Sequence, residues 1–224
     1  MIGPEALRAR LAPRRAEMIE ELRRVVSIDS PTFSAAGEAP AVGTAPATGS
    51  APAAGAVTAP GTTEVAASFG PRYAALGAEV ETLPGSHGTG DHLLVRFRGS
   101  RAGGPKIFII GHCDTVFPEG EAARRPFTVE GEVGRGPGVA DMKGGLVTCL
   151  FAMEALMAEG FGDFGEIVIL YDTDEERGNP SSRAHIEALG RDAAAALILE
   201  PARRDGSLVT SRRGSFYGEM RVRG

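Results

Sequence analysis

The chain has 224 residues, a hydrophobic fraction of 42%, a net charge of −5 and an isoelectric point near 5.5. These values are typical of a soluble globular protein, and the acidic balance argues against a nucleic-acid-binding surface. The two cysteines are too few for a disulfide framework or a cysteine-rich zinc site, and no apolar run is long enough to span a membrane. A charged N-terminus without an apolar signal core predicts a cytoplasmic protein.

The N-terminal half alternates between regular and low-complexity sequence. Apolar side chains at helical spacing predict a helix over residues 14–28. Residues 34–62 are almost entirely Ala, Gly, Pro, Thr and Ser, and such a segment buries too little surface to offset its ordering entropy. We therefore predict a disordered low-complexity insert there, followed by a helix over 64–78 and strands over 79–83 and 93–97.

The C-terminal half repeats a strand-and-helix pattern that predicts an α/β sheet. Short apolar runs predict buried strands over residues 106–110, 166–171 and 195–199. Leu and Met residues spaced by three and four predict a helix over 143–159, and a second helix is expected over 181–189. A further strand or hairpin is predicted over residues 126–133, and further strands over 207–210 and 215–222.

His112 and Asp114 come directly after the first buried strand. Residues two apart in extended backbone share one side, so both side chains are expected to point the same way. Asp141 lies in the stretch GPGVAD, just before the helix over 143–159. An imidazole with nearby carboxylates suits a divalent cation. Taken singly, a strand-end turn with a hydrogen-bonded histidine and a helix N-cap aspartate would explain the same residues.

Further acids follow the other two buried strands. Glu175 and Glu176 are adjacent after the second strand, and Glu200 follows the third. In near-extended backbone the adjacent side chains diverge, so one can hold a metal while the other faces a water. Ligands bind at the carboxyl edge of open α/β sheets, where these acids would join His112. Together the acids would repel one another strongly unless cations lay between them.

A nucleotide site is the competing interpretation of the glycine-rich stretch. Gly136 and Gly138 fit the start of a dinucleotide-binding fingerprint, but Asp141 stands where that fingerprint needs Gly or Ala and would repel a pyrophosphate. The sequence therefore favours a metal site over a nucleotide site.

Three other reactive residues are given structural roles. Cys113 would point away from its neighbours into the core, where a free cysteine usually packs as a small hydrophobe, although a nucleophile is the alternative. His87 and His92 fall in a glycine-rich turn between two strands. Both are expected to be solvated surface residues rather than ligands.

Four blocks along the chain carry the most specific signal. They read GHCDTV, GPGVADMKGG, DEERGNPSSR and a segment running from EP to RRG. In this order they resemble the co-catalytic zinc peptidase family, which includes glutamate carboxypeptidase, acetylornithine deacetylase, succinyl-diaminopimelate desuccinylase and aminoacylase. The resemblance covers the chain apart from the insert. It implies an α/β catalytic domain with a mixed, mostly parallel sheet flanked by helices.

The resemblance also implies a pair of divalent metal ions. His112 and Glu200 would bind one ion, Glu176 would bind the other, and Asp141 would bridge both. The ions are expected to be Zn²⁺, with Co²⁺ or Mn²⁺ as alternatives, since geometry and availability decide between these metals.

The implied chemistry is metal-assisted hydrolysis of an amide bond. Glu175 resembles the general base that takes a proton from water, and Asp114 resembles the acid that orients His112. Glu200 favours the carboxypeptidase and deacylase members, so the substrate is expected to be a small peptide or an N-acyl amino acid. Neither a nucleic acid nor a membrane is expected as a partner.

Family proteins continue past a segment like SRRGSFYGEMRVRG into a lid and dimerisation domain. We therefore predict the N-terminal part of a catalytic domain over 1–211 and the first strand of a truncated lid over 212–224. Another metal-binding histidine and an oxyanion-stabilising histidine would lie further on, and His185, inside a helix pattern, is not a substitute. The chain alone is expected to be inactive, and a homodimer would need the lid. The alternative is a non-catalytic remnant, or half of a split enzyme, that only binds metal or a partner.

Overall fold

A computed structural model describes residues 3–32, 59–214 and 220. Seven strands occur in these residues, and β1 to β7 are Glu79–Leu83, His92–Arg98, Lys106–His112, Thr128–Glu130, Val133–Arg135, Glu166–Asp172 and Ala195–Ile198. The α-helices of the same residues, α1 to α6, are Pro4–Leu11, Arg15–Val26, Pro60–Ala75, Glu121–Arg124, Gly144–Ala158 and Arg183–Gly190. Five strands form the main sheet in the order β1-β2-β6-β3-β7, and β4 and β5 form a separate hairpin.

Three neighbouring strands of the main sheet run in the same direction and end at the same edge. β3 lies between β6 and β7 and is parallel to both, whereas β1 and β2, and β2 and β6, pair antiparallel. In the register of β3 and β6, His112 is opposite Asp172. The carboxyl ends of β3, β6 and β7 therefore meet at one edge, and the predicted mixed α/β sheet is confirmed.

The central strand β6 is buried on both faces. On one face Ile169 packs in a large cluster with Phe69 of α3 and Leu150 of α5. On the other face Val168 and Leu170 join a smaller cluster beneath α6. A strand covered on both faces has a continuous apolar sequence. This is why the run EIVILY could be recognised as a buried strand.

Two predicted elements differ from the structure. β7 forms as predicted but is exposed along its length, with Ile198 at 68% exposure. Among the described residues it pairs only with β3, so it lies at an edge of the sheet. No strand forms over residues 207–210.

The predicted bounds of the insert and of the lid strand, and the predicted exposure of His92, can also be compared with the structure. The helix α3 begins at Pro60, so residues 60–62 of the predicted low-complexity insert are helical, and 34–58 lie outside the described residues. Of the predicted lid strand over 212–224, only 212–214 and 220 are described, and that domain division stays a prediction. His92 was expected to be solvated, but it is only 1% exposed.

The start of α5 lies very close to the backbone of the segment that follows β7. A Cβ added at Gly145 would overlap the carbonyl oxygen of Leu199, the residue before Glu200. Gly145→Ala is therefore expected to lower the free energy of unfolding by about 1–3 kcal/mol, as overpacking does. Urea denaturation measures this change.

Gly190→Ala in α6 is the matched control. A Cβ there would lie 3.5 Å from the Phe108 ring, an ordinary contact, so this variant is expected to be near neutral. Equal stabilities for the two variants would contradict the predicted close approach.

Candidate metal centre

His112 ends β3 and is buried at the carboxyl edge of the sheet, with 1% exposure. Its Nδ1 donates a hydrogen bond to the backbone carbonyl of Asp114 at 2.9 Å and lies 3.3 Å from Oδ1 of the same residue. The structure therefore places the two side chains together, as their spacing predicted. A proton fixed on Nδ1 leaves Nε2 of the neutral ring free to bind a cation.

The Asp114 carboxylate is fully buried and connects three parts of the chain. It accepts a hydrogen bond from the Thr32 hydroxyl at 2.7 Å, and from the backbone N–H groups of Glu175 and Glu176 at 3.2 Å each. One carboxylate thus fixes both the His112 ring and the turn that carries two acids. Sequence reasoning found the aspartate but not its contact with Thr32.

Three carboxylates surround Nε2 of His112. The nearest oxygens belong to Asp141 at 3.0 Å, Glu200 at 3.4 Å and Glu175 at 3.9 Å. Two groups in the described residues have ligand atoms within 4.8 Å of one another, and these are His112, Asp141, Glu200 and His112, Glu175, Glu176. The structure therefore brings together all of the predicted metal ligands.

The two adjacent glutamates lie in a turn rather than in extended backbone. Residues Glu175–Arg177 form a 3-10 turn, and Gly178 ends it in the left-handed region with φ of 77°. The expectation of extended, diverging side chains is therefore wrong. Both carboxylates have an oxygen within 4.8 Å of the ligand atom of His112.

Charge at the site fits a cation. Burial, together with the nearby Asp141 carboxylate, raises the pKa of Glu176 from 4.5 to about 7. Burial opposes protonation of His112, but hydrogen bonds to Asp114 and Glu200 raise its pKa to about 12. Neighbouring carboxylates contribute to both shifts, and a divalent cation bound between these groups would offset their negative charge.

The turn that carries Asp141 is held by a residue that sequence reasoning missed. Lys143 is buried, and its Nζ donates to the carbonyls of Val25 at 3.0 Å and Ile28 at 2.7 Å at the end of α2. The Asp141–Met142 peptide bond is cis. The signal available in the sequence was the lysine of the block GPGVADMKGG, two positions after the aspartate.

Comparison with known proteins agrees with this geometry. The sequence profile of Peptidase family M20/M25/M40 matches residues 108–212, which include every predicted site residue. Residues 108–212 are therefore similar in sequence to this family. The similarity points to divalent metal binding, and the two ligand groups around His112 are candidates for it.

The relatives are longer than this chain. Carboxypeptidase G2 of Pseudomonas sp. (strain RS-16) is 35% identical over 60% of the chain and 32% of its own length. Succinyl-diaminopimelate desuccinylase of Alkalilimnicola ehrlichii is 35% identical over 68% of the chain and 42% of its own length. The chain therefore spans less than half of either relative.

A solved structure supports the fold. The M20 family metallo-carboxypeptidase Sso-CP2 from Sulfolobus solfataricus superposes with a TM-score of 0.60 at 18% identity, covering 85% of this chain and 40% of that one. The predicted zinc-peptidase type of sheet is thereby confirmed. None of the helices in residues 3–32 and 59–214 is long and apolar enough to cross a membrane.

The raised pKa of Glu176 predicts how stability depends on pH in the metal-depleted protein. A carboxyl that holds its proton more tightly when folded costs stability as pH rises from 4.5 to about 7. Because the group is half-exposed, we expect a loss of about 1 kcal/mol over this window. Glu176→Gln is expected to remove that part of the loss in urea denaturation at the two pH values.

Glu119→Gln is the control, since Glu119 is exposed and belongs to neither ligand group. Its pH dependence should match that of the unmodified chain. A Glu176→Gln profile parallel to the control would contradict the electrostatic description of the site.

Proposed function

We propose that the chain forms the N-terminal part of the catalytic domain of a metal-dependent amide hydrolase of the carboxypeptidase or N-acyl-amino-acid deacylase type. One observation carries the proposal. The Nε2 atom of buried His112 lies 3.0 Å from Asp141 and 3.4 Å from Glu200, with Glu175 and Glu176 beside it. An imidazole and carboxylates in this arrangement match the ligand chemistry of zinc hydrolases.

The proposed ligands divide between two ions. His112, Asp141 and Glu200 would hold one Zn²⁺, while Asp141 and Glu176 would contribute to the other, with Co²⁺ or Mn²⁺ as alternatives. When bound, such ions polarise a substrate carbonyl and lower the pKa of water. The grouping of His112 with Asp141 and Glu200 supports the first site, and the nearby Glu176 carboxylate supports the second.

Glu175 is the proposed general base. Its side chain is 46% exposed, so a substrate can reach it from solvent, and its carboxylate lies 3.9 Å from His112 Nε2. Burial of the carboxyl raises its pKa, which improves proton acceptance at neutral pH. Asp114 is fully buried, and its proposed role is to hold the His112 ring and the backbone of Glu175.

The proposed substrate is a small peptide or an N-acyl amino acid. Two relatives bear the names carboxypeptidase and desuccinylase. The Asp141 side chain is 60% exposed beside the buried imidazole, so the site opens to solvent on the side where a small molecule can enter.

A second candidate is a part that binds metal but needs further polypeptide for turnover. Among the described residues, His112 is the one imidazole in both ligand groups, so a second ion would depend on carboxylates alone. Such a site lacks the nitrogen ligands typical of zinc enzymes. We therefore propose that residues 1–224 tested alone bind metal and show little or no turnover.

Zinc titration tests Asp141 as a metal ligand. Calorimetry of residues 1–224 is expected to show at most one tight site, and Asp141→Ala is expected to weaken it by at least about tenfold, because ligand loss should cost no less than loss of an outer-shell partner. Glu119→Ala, an exposed acid outside both groups, is the control. Unchanged affinity in the Asp141 variant would contradict the site.

Turnover tests the role of Glu175. In a form of the protein that hydrolyses N-acyl amino acids or dipeptides, Glu175→Gln is expected to lower kcat by roughly 10²–10⁴-fold, the usual contribution of a general base. Metal content should stay unchanged, whereas Glu176→Gln should lose metal as well as activity. If metal content in the Glu175 variant fell together with kcat, its assignment as the base would be wrong.

A further inference from the structure

Buried His92 contacts both ends of the segment that carries Glu175 and Glu176. His92 begins β2, next to β6 in the sheet. Its Nδ1 lies 3.1 Å from the Thr173 hydroxyl, two residues before Glu175, and its Nε2 lies 3.0 Å from the Ser181 hydroxyl. One ring therefore joins the start and the end of the segment to a neighbouring strand.

The hydrogen bonds assign the protons on this ring. The Thr173 hydroxyl donates to the Gly90 carbonyl at 2.5 Å, so it accepts from Nδ1–H of His92. Nε2 is then the acceptor for the Ser181 hydroxyl proton, while the Ser181 oxygen accepts from the Ser86 N–H at 2.9 Å. Burial lowers the pKa of His92, in agreement with a neutral ring. The His92 ring therefore donates through Nδ1 and accepts through Nε2.

The segment between these anchors is closed on itself. Oδ2 of buried Asp174 accepts from the N–H groups of Ser181 at 2.6 Å and Ser182 at 3.1 Å, and the Asp174 carbonyl accepts from Asn179 N–H at 3.0 Å. The segment also contacts Asp114, whose carboxylate accepts from the backbone N–H groups of Glu175 and Glu176. A closed loop of this kind moves as a unit when one anchor is lost.

We propose that His92 is a positioning residue for the metal centre. Through Thr173 and Ser181 it fixes the loop so that Glu175 and Glu176 face His112. Asp114 binds the backbone of the loop at Glu175 and Glu176. His92, on the neighbouring strand β2, binds its two ends. The inference rests on the proposed function, since it gives the loop its role in binding metal.

Cobalt affinity and its visible absorption test the proposal in the 224-residue chain. His92→Phe removes both hydrogen bonds while keeping a ring, and Ser181→Ala removes one. Each is expected to weaken Co²⁺ binding by about tenfold, the lower range for partners outside the ligand sphere. The double variant should be no weaker than the worse single one, because both act through the same contact. His92→Asn, whose amide can keep the bond to Thr173, should recover part of the affinity.

His185→Phe is the matched control. The His185 ring packs edge-to-face on His92 with ring centroids 6.3 Å apart. Its replacement alters packing at the same place but leaves the bonds to Thr173 and Ser181 intact, so cobalt affinity and the absorption spectrum should not change. Ser181 is partly exposed, so its variant decides the question if His92→Phe fails to fold.

Amide exchange provides a measurement that needs no metal. In the metal-free protein, the N–H groups of Glu175 and Glu176, which donate from the loop to Asp114, should exchange faster in His92→Phe and Ser181→Ala than in the control. Unchanged cobalt affinity and exchange in both variants, with a lower Tm alone, would overturn the positioning role and leave the proposed function standing. If the unmodified chain binds no cobalt at all, the proposed function fails and this inference fails with it.

Discussion

The hydrogen bonds of Asp114 determine the geometry of the candidate metal centre. This one buried carboxylate lies beside the His112 ring and accepts from the Thr32 hydroxyl and from the backbone N–H groups of Glu175 and Glu176. A buried carboxylate is stable only when its oxygens are paired in this way. Its partners come from three distant parts of the sequence, so satisfying Asp114 brings the imidazole and two acids together.

The metal centre also depends on the sheet, which places the proposed ligands along a common edge. β3, β6 and β7 are parallel neighbours, so the residues after them leave the sheet on the same side. The α5 helix begins directly behind this edge, and the buried Lys143 holds the turn with Asp141 to the end of α2. This edge therefore gathers several carboxylates, and burial together with the Asp141 carboxylate raises the pKa of Glu176. A bound cation would offset the negative charge of the group.

Hydrophobic periodicity and residue spacing in the sequence were enough to predict several strands and helices and one part of the site. The apolar run of β6, the helical spacing of α5 and the two-residue spacing of His112 and Asp114 were sufficient. Features that depend on distant contacts could not be read in this way. The exposure of β7 depends on which strands flank it, and the burial of His92 depends on Thr173 and Ser181, about 80 to 90 residues away. The turn at Glu175 depends on the backbone bonds to Asp174 and Asp114.

Anomalous diffraction from crystals grown with zinc would locate the metal directly. We predict an ion within bonding distance of His112 Nε2 and of oxygens from Asp141 and Glu200, at about 2.0–2.2 Å. The Nδ1 atom of His112 should keep its bond to the Asp114 carbonyl. Zinc bound away from His112, or an imidazole that turned Nδ1 toward the metal, would contradict the proposed metal centre.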